Sequence, residues 1–456
     1  MNRREFLKTA GLTGAALIFS GCKNLLKPAS QQALFEKTNF IIIFTDDHGY
    51  QDIGCFGAEG FETPNLDRMA KEGARFTDFY CGAPICSPSR AALLTGCYPP
   101  RVSITRVLFP EDKFGLNPDE ISIAEVLKQK DYATACIGKW HLGHLPQFLP
   151  RSQGFEYYFG LPYSNDMWPA NSDRYPPLPL IENEKAIEYN PAQSRLTQRY
   201  TERAINFITE NKDRPFFVYL AHTMPHVPLF ASEKFKGKTK KGIYGDVIRE
   251  IDASTGELLE TLKKLGIDEQ TLVIFTSDNG PWLSKGDHGG SAKPLRDGKF
   301  STYEGGMRMP CIMRWPGKIP ADSTCSQIAA TIDLLPTFAN IAGAQIPADR
   351  TIDGKDITNI LLEPDAKSPR QSFYYYDELK LGAVRRGKWK LVFKQKDNNG
   401  LELYNLDDDI GEKNNVAGQY PKVVKELQKL ADKMRDDLGD STRKIKPKNA
   451  RPAGSA

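Results

Sequence analysis

Apolar positions along this chain follow two alternating periods. Short apolar runs rich in β-branched and aromatic residues stand at 39–44 (NFIIIF), 75–80 (RFTDFY), 132–138 (YATACIG), 214–221 (RPFFVYLA) and 271–277 (TLVIFTS). Such runs predict buried strands. Between them, TPNLDRMAKEG, SIAEVLKQK, SRLTQRYTERAINFITEN and DVIREIDASTGELLETLKKLG carry the helical period, the last closed by Gly266. Strand alternating with helix predicts an α/β fold, a large mostly parallel sheet with helices on both faces.

Past residue 370 the texture changes. SFYYYDE, LGAVRRGKWKLVF and LELYNL alternate as antiparallel strands do, and a helical pattern follows over 421–438. The reading is a main domain over 38–370 and a smaller C-terminal α+β subdomain with an antiparallel sheet over 371–443. The basic, Pro- and Gly-containing segment 444–456 is expected to be a disordered tail. KFKGKTKK reads as a solvated loop.

Composition narrows the class. A chain of 456 residues exceeds the ~250–300 that one core serves. With 40% hydrophobic and 26% charged residues it is neither disordered nor a multi-span membrane protein. A net charge of +4, from 61 basic and 57 acidic residues, is too balanced for a general polyanion binder, so no nucleic-acid partner is expected.

Residues 1–22 read as an address. NRREFLK is a twin-arginine signal, AGLTGAALIFSG is shorter than the ~20 residues of a membrane helix, and small residues lead into Cys22 as in a bacterial lipoprotein signal. Phe19, where leucine is usual, leaves a plain cleaved signal open. The expectation is an exported bacterial protein, periplasmic or membrane-anchored, touching the membrane only through a lipid on Cys22, with residues 23–37 as tether. The eight cysteines form no CxxC pair, so no zinc site follows. An oxidising compartment permits a Cys55–Cys81 bridge, and buried free thiols are equally compatible.

Polar clusters follow the predicted strands: Asp46 and Asp47, then Cys86 to Arg90, Lys139 and His141, His222 and His226, Asp278 and Asn279. Parallel strands end at one edge of their sheet, where open α/β sheets bind ligands, so the clusters should converge. In APICSPSRAALLTG, Ser87 suits an N-cap and Pro88 the first helical position, which sets Cys86 just outside a helix N-terminus and Arg90 in its first turn. That is an anion site. A helix dipole contributes only ~0.3–1 kcal/mol at an exposed site, so further positive charge must come from Arg90, Lys139, Lys299 and a bound cation. Asp46, Asp47, Asp278 and Asn279 offer only oxygen, which suits a hard ion, Ca2+ before Mg2+. His222 reads as structural, with the substrate pocket as its alternative, and His48 as a neighbour supporting the acidic pair.

CSPSRAALLTG resembles the signature of the type I sulfatase family, in which the cysteine of Cys-x-Pro-x-Arg is oxidised to formylglycine. The resemblance runs from about Asn39 into the C-terminal region through IIIFTDDHGYQDIGCFG, TPNLDRMAKEGARFTDFY, GKWHLG, GLPYSND, PHVP, SDNGP and GKFSTYEGGMRMP. It implies an alkaline-phosphatase-like fold and a sulfuric ester hydrolase acting on a sulfated carbohydrate, with two cofactors, Ca2+ and a formylglycine (3-oxoalanine) made from Cys86 by a formylglycine-generating maturation enzyme. The implied metal ligands are Asp46, Asp47, Asp278, Asn279 and the modified Cys86. The implied catalytic set adds Arg90, Lys139, His141, His226 and Lys299, and Ser164 matches a residue near the sulfate. Asp287 and His288, in the loop before GGSAKPLRDGK, are candidate substrate contacts, and LPYSNDMWPANSDRYPP could line a sugar subsite. Two other readings stay open: a phosphomonoester or phosphonate hydrolase of the same fold, and a catalytically inactive glycan-binding lipoprotein.

Overall fold

Strand β1 (Asn39–Thr45) is buried along its whole length, as a strand with helices on both sides must be. In the computed structural model it is followed by α1 (Pro64–Lys71), β2 (Ala74–Tyr80), α2 (Cys86–Thr95), β3 (Phe114–Gly115), α3 (Ile123–Lys128), β4 (Ala133–Lys139), β5 (Tyr157–Leu161), β6 (Pro179–Glu182) and β7 (Lys185–Tyr189). Next come α4 (Leu196–Glu210), β8 (Phe216–Ala221), α5 (Gly242–Lys264), β9 (Thr271–Ser277), α6 (Glu304–Met307), β10 (Arg308–Arg314), β11 (Ser323–Cys325), β12 (Ala329–Ala330), α7 (Leu334–Ala342) and α8 (Thr358–Leu362). The chain ends with β13 (Ser372–Asp377), β14 (Lys380–Arg386), β15 (Trp389–Phe393), β16 (Leu401–Asn405), α9 (Pro421–Leu438) and β17 (Gly454–Ser455). The structure describes Phe35 and residues 37–393 and 400–456. The leader reading at 1–22 and nearly all of the tether lie outside the described residues.

Among the described residues the main sheet has the order β11-β2-β10-β9-β1-β8-β4-β5-β6-β7, with β12 also on β2. β9, β1, β8, β4 and β5 are mutually parallel. β10 is antiparallel to β9 and to β2, so β2 again runs with β1. All five strands read from the sequence therefore point the same way and deliver their following residues to one edge. A second sheet, β13-β14-β15-β16, is antiparallel throughout, and α9 packs on β14 and β15.

The change of texture near residue 370 marks a new sheet rather than a break in packing. Tyr80, Met307 and Met309 of the main-sheet region share one core with Phe373, Tyr375 and Leu391, and Thr38–Ala456 forms one compact unit. Beneath this core, Glu304 accepts hydrogen bonds from Tyr80 (2.6 Å), Tyr375 (2.8 Å) and Lys390 (2.9 Å). Lys390 also pairs with Glu412 at 2.8 Å.

The expected disordered tail is corrected. Arg451 forms a forked pair with Glu120 (2.6 and 2.9 Å), its backbone bonds Arg101 and Ser103, and β17 pairs with β3. The segment's charge finds a fixed acid and its backbone an unpaired edge, which basic and Pro/Gly composition does not reveal. Cys55 and Cys81 are free thiols, so that bridge does not form. No described helix is long and apolar enough to cross a membrane.

Candidate active site at the strand ends

Register brings the two acidic pairs together. Thr45 on β1 lies opposite Ser277 on β9, so Asp46 and Asp278 leave the sheet side by side. Asp47 turns with φ 65°, a conformation aspartate tolerates better than most residues, and donates its backbone N–H to Asp278 Oδ1 at 3.1 Å. On β4, Gly138 has φ 112°, and a Cβ there would lie 1.8 Å from the Ala221 carbonyl oxygen. Only glycine fits, and it releases Lys139 into the same space.

The motif helix starts two residues earlier than the capping residues predict. Cys86 is the first residue of α2, after extended Ile85, and all ten residues of the helix are buried. Ser87 does not cap it, because its Oγ accepts the Leu108 N–H at 3.1 Å.

The cations interleave with the acids. Arg90 donates to Asp278 Oδ2 at 2.8 Å and to the Lys139 carbonyl at 3.0 Å, and stands 3.6 Å from Asp46 Oδ2. Lys139 Nζ bonds Asp46 Oδ2 and, at 3.1 Å, Ser164 Oγ. Lys299 Nζ reaches Asp47 Oδ2 at 2.8 Å, and Asn279 Nδ2 donates to Asp47 Oδ1 at 2.7 Å. His226 Nε2 lies 3.7 Å from Asp47 Oδ2. The structure thus gathers Asp46, Asp47, Arg90, Lys139, Ser164, His226, Asp278, Asn279 and Lys299 into one contact network.

Electrostatics follow from burial and crowding. Burial raises the Asp46 carboxyl, but Lys139, His226, Arg90 and Lys299 outweigh it and hold it far below the carboxylate range. Asp278 goes the other way: burial, then the charge of Asp46, push it up to about 7 against Arg90 and Lys139. Acids crowded this closely suit a cation. Asp46 Oδ1 and Asn279 Oδ1 are buried without a hydrogen-bond partner, a costly state that an oxygen-seeking ion relieves. Asp46, Asp47 and His226 also bring ligand atoms within 4.8 Å of one another. The residues present therefore fit a divalent metal.

Cys86 is 3% exposed. Burial raises its thiol despite Lys139 and Lys299, so the unmodified side chain is a poor thiolate nucleophile. His141 Nε2 faces the Leu108 carbonyl at 2.9 Å, and a carbonyl only accepts, so the proton sits on Nε2. Burial, Lys139 and Arg90 hold the ring neutral, leaving Nδ1, which has no partner, as a base. His226 likewise gives Nδ1–H to the Val227 carbonyl at 2.6 Å, and burial and Lys299 lower it. Burial raises Tyr219, Tyr158 and Tyr200 and lowers His222 to about 4, as structural groups behave.

Asp287 and His288 are not brought in. Both are exposed on the turn Leu283–His288, bent by Gly286 at φ 57°, and among the described residues neither bonds a site side chain. Sequence reasoning missed the aromatic wall instead. The Trp282 ring lies 5.7 Å from His226 and 5.4 Å from Phe300, and Lys299 Nζ stands 4.6 Å over it. The neighbouring motifs, NGPW and GKF, were the available signal.

Comparison with known proteins agrees with this geometry. The sulfatase family profile matches residues 38–344, and that of the N-sulphoglucosamine sulphohydrolase C-terminal region matches 295–438. The chain is 39% identical to human arylsulfatase A over 455 residues, covering 89% of each protein. It is 39% identical to N-acetylgalactosamine-6-sulfatase of Canis lupus familiaris over 412 residues, covering 86% of this chain and 78% of the relative. The structure is similar to the crystal structure of Ps i-CgsB in complex with k-i-k-neocarrahexaose, at TM-score 0.78 and 31% identity, over 88% of this chain and 93% of that one.

Proposed function

This chain belongs to the sulfatase family, whose members hydrolyse sulfate esters, and on that premise we propose that it removes O-sulfate from a sulfated carbohydrate outside the cytoplasm. The observation that carries the reading is the ring of Arg90, Lys139 and Lys299 threaded through Asp46, Asp47 and Asp278 beside Cys86, at the mouth of one sheet edge. A sulfate needs positive charge on several sides at once, and this arrangement supplies it.

Calcium held by Asp46, Asp47, Asp278 and Asn279 would supply Lewis-acid polarisation of a sulfate oxygen. Cys86 oxidised to formylglycine would supply a hydrated aldehyde as nucleophile. The chain's own side chains do the rest. Lys139 and Ser164, already 3.1 Å apart, hold a sulfate oxygen between them. Arg90 fixes the Asp46 and Asp278 carboxylates. Lys299, which Asp47 keeps protonated after burial has opposed it, and His226 beside it are the two proton donors for the departing alcohol, the incoming anion favouring the charged imidazole. His141 takes up a proton at Nδ1 when sulfate is released.

The fold-mate in complex with k-i-k-neocarrahexaose supports an oligosaccharide substrate. The leader and Cys22 support export with a lipid anchor, and Cys86 requires a formylglycine-generating enzyme in the producing cell. Two measurements on protein from such a cell test the reading. The mass of the Cys86 peptide should fall as oxygen replaces sulfur and two hydrogens. Position-defined sulfates of galactose, N-acetylgalactosamine and glucosamine should yield inorganic sulfate. Unconverted cysteine, or phosphate esters cleaved in preference to sulfates, overturns it.

A further inference from the structure

Among the described residues, Leu283 (43% exposed) and Phe300 (47% exposed) are large apolar side chains facing water beside a buried lysine of the active site. Phe300 follows Lys299 directly, and Lys299 Nζ is 5.5 Å from its ring centroid. Its backbone has φ 69°, the left-handed region that favours glycine and penalises an aromatic residue. Burial does not offset that penalty, because nearly half the side chain is in solvent. The conformation is imposed from both sides: Lys299 N–H bonds the Pro281 carbonyl, and Phe300 N–H bonds the Pro84 carbonyl, each at 2.9 Å. Pro84 is two residues before Cys86, so the strained position is tied to the motif loop itself. Strain held by a surrounding frame at a site is the pattern of a functional constraint.

The strain serves to place a ring. Phe300 stands edge-on to Trp282, at 5.4 Å and 79°, and Trp282 leans on His226 at 5.7 Å. Lys299 and Lys285 lie 4.6 and 4.3 Å over the Trp282 ring, which leaves Phe300 as the aromatic surface open to a ligand. Leu283 packs on the backbone two residues before Phe300, where a Cβ on Gly298 would lie 3.0 Å from Leu283 Cγ. The result is an apolar face one ring wide, edged by ammonium groups and adjoining both proton donors. It is too small for a protein partner, and too cationic at its rim for an acyl chain.

The geometry points to Phe300, braced by Trp282, as a subsite for the C–H face of the pyranose that carries the scissile sulfate. The inference rests on the saccharide reading above and adds the residue that grips the sugar ring. Stacking acts on the ring and not on the sulfate, so the two can be separated. Phe300→Gly should raise KM for a saccharide sulfate that the wild type turns over by about tenfold, with kcat within about threefold by the same reckoning. Its inhibition constant for inorganic sulfate should not move. Its Tm should equal or exceed that of the wild type, because glycine is at ease at this φ. Phe300→Tyr should keep the wild-type KM. An unchanged KM in F300G, a sulfate inhibition constant that rises with KM, or a lowered Tm overturns the subsite. Failure of the wild type on every saccharide sulfate instead overturns the preceding reading.

Discussion

Arg90 and Asp278 meet at 2.8 Å with neither side chain exposed, a buried ion pair joining the second turn of α2 to the end of β9. The same guanidinium is 3.6 Å from Asp46. Removing it leaves buried carboxylates facing one another, and breaking such a pair costs about 3–5 kcal/mol. Arg90→Met should therefore lower stability by that order in chelator. Calcium should return part of the loss, since an ion that binds only the folded site stabilises it by mass action. Thermal unfolding of both proteins with and without calcium measures this, and equal shifts in the two conditions would separate Arg90 from the metal site.

Cys86, Lys299 and His226 should fail differently. On the proposed mechanism Cys86→Ala removes the source of the nucleophile, and essentially all turnover should vanish while the fold persists. Lys299→Ala and His226→Ala each remove one proton donor and should cost about 10²- to 10⁴-fold in kcat. Steady-state rates on one saccharide sulfate decide. Substantial activity in the cysteine variant would return Cys86 to a structural role.

What the sequence made legible was whatever one chain segment settles alone. β1 and β9 are read from their apolar runs, and their trailing Asp46 and Asp278 follow, because parallel strands share an edge whatever the order of the sheet. The start of α2 was misread by two residues because Ser87 serves the Leu108 N–H rather than its own helix, a partnership between segments. The aromatic wall was invisible for the same reason: Trp282 and Phe300 meet only after Lys299 and Phe300 are bonded to Pro281 and Pro84. Asp287 and His288 read as substrate contacts from their place in the loop, and the structure sets them in solvent on the Gly286 turn, outside the network of buried side chains.

Glu412 gives stability a pH dependence of calculable sign. Burial, and then the neighbouring Glu304 working against Lys390, raise its carboxyl from 4.5 to about 7. The folded state thus holds a proton that the unfolded chain releases near pH 4.5. This contribution is whole below about 4.5 and is lost as pH rises through 7. Glu304, held by Lys390 to about 2 despite burial, changes only below that window. Denaturant unfolding between pH 4.5 and 8 should show a wild-type stability that falls with pH relative to Glu412→Gln. A parallel pair of curves would place the proton elsewhere.

The last segment of the chain should matter more than its composition suggests. Arg451 closes on Glu120 with two hydrogen bonds, and Glu120 is only 3% exposed at its side chain. Deleting residues 446–456 would strand that buried carboxylate and reopen the edge of β3. An unpaired buried charged acceptor costs about 1–3 kcal/mol or more, so the truncated protein should unfold at lower denaturant by that order. Glu120→Gln in the truncated background should recover part of the loss, since a neutral amide is cheaper to leave without its partner. Equal stability of the full and truncated chains would mean that the pairing of Arg451 with Glu120 contributes nothing net.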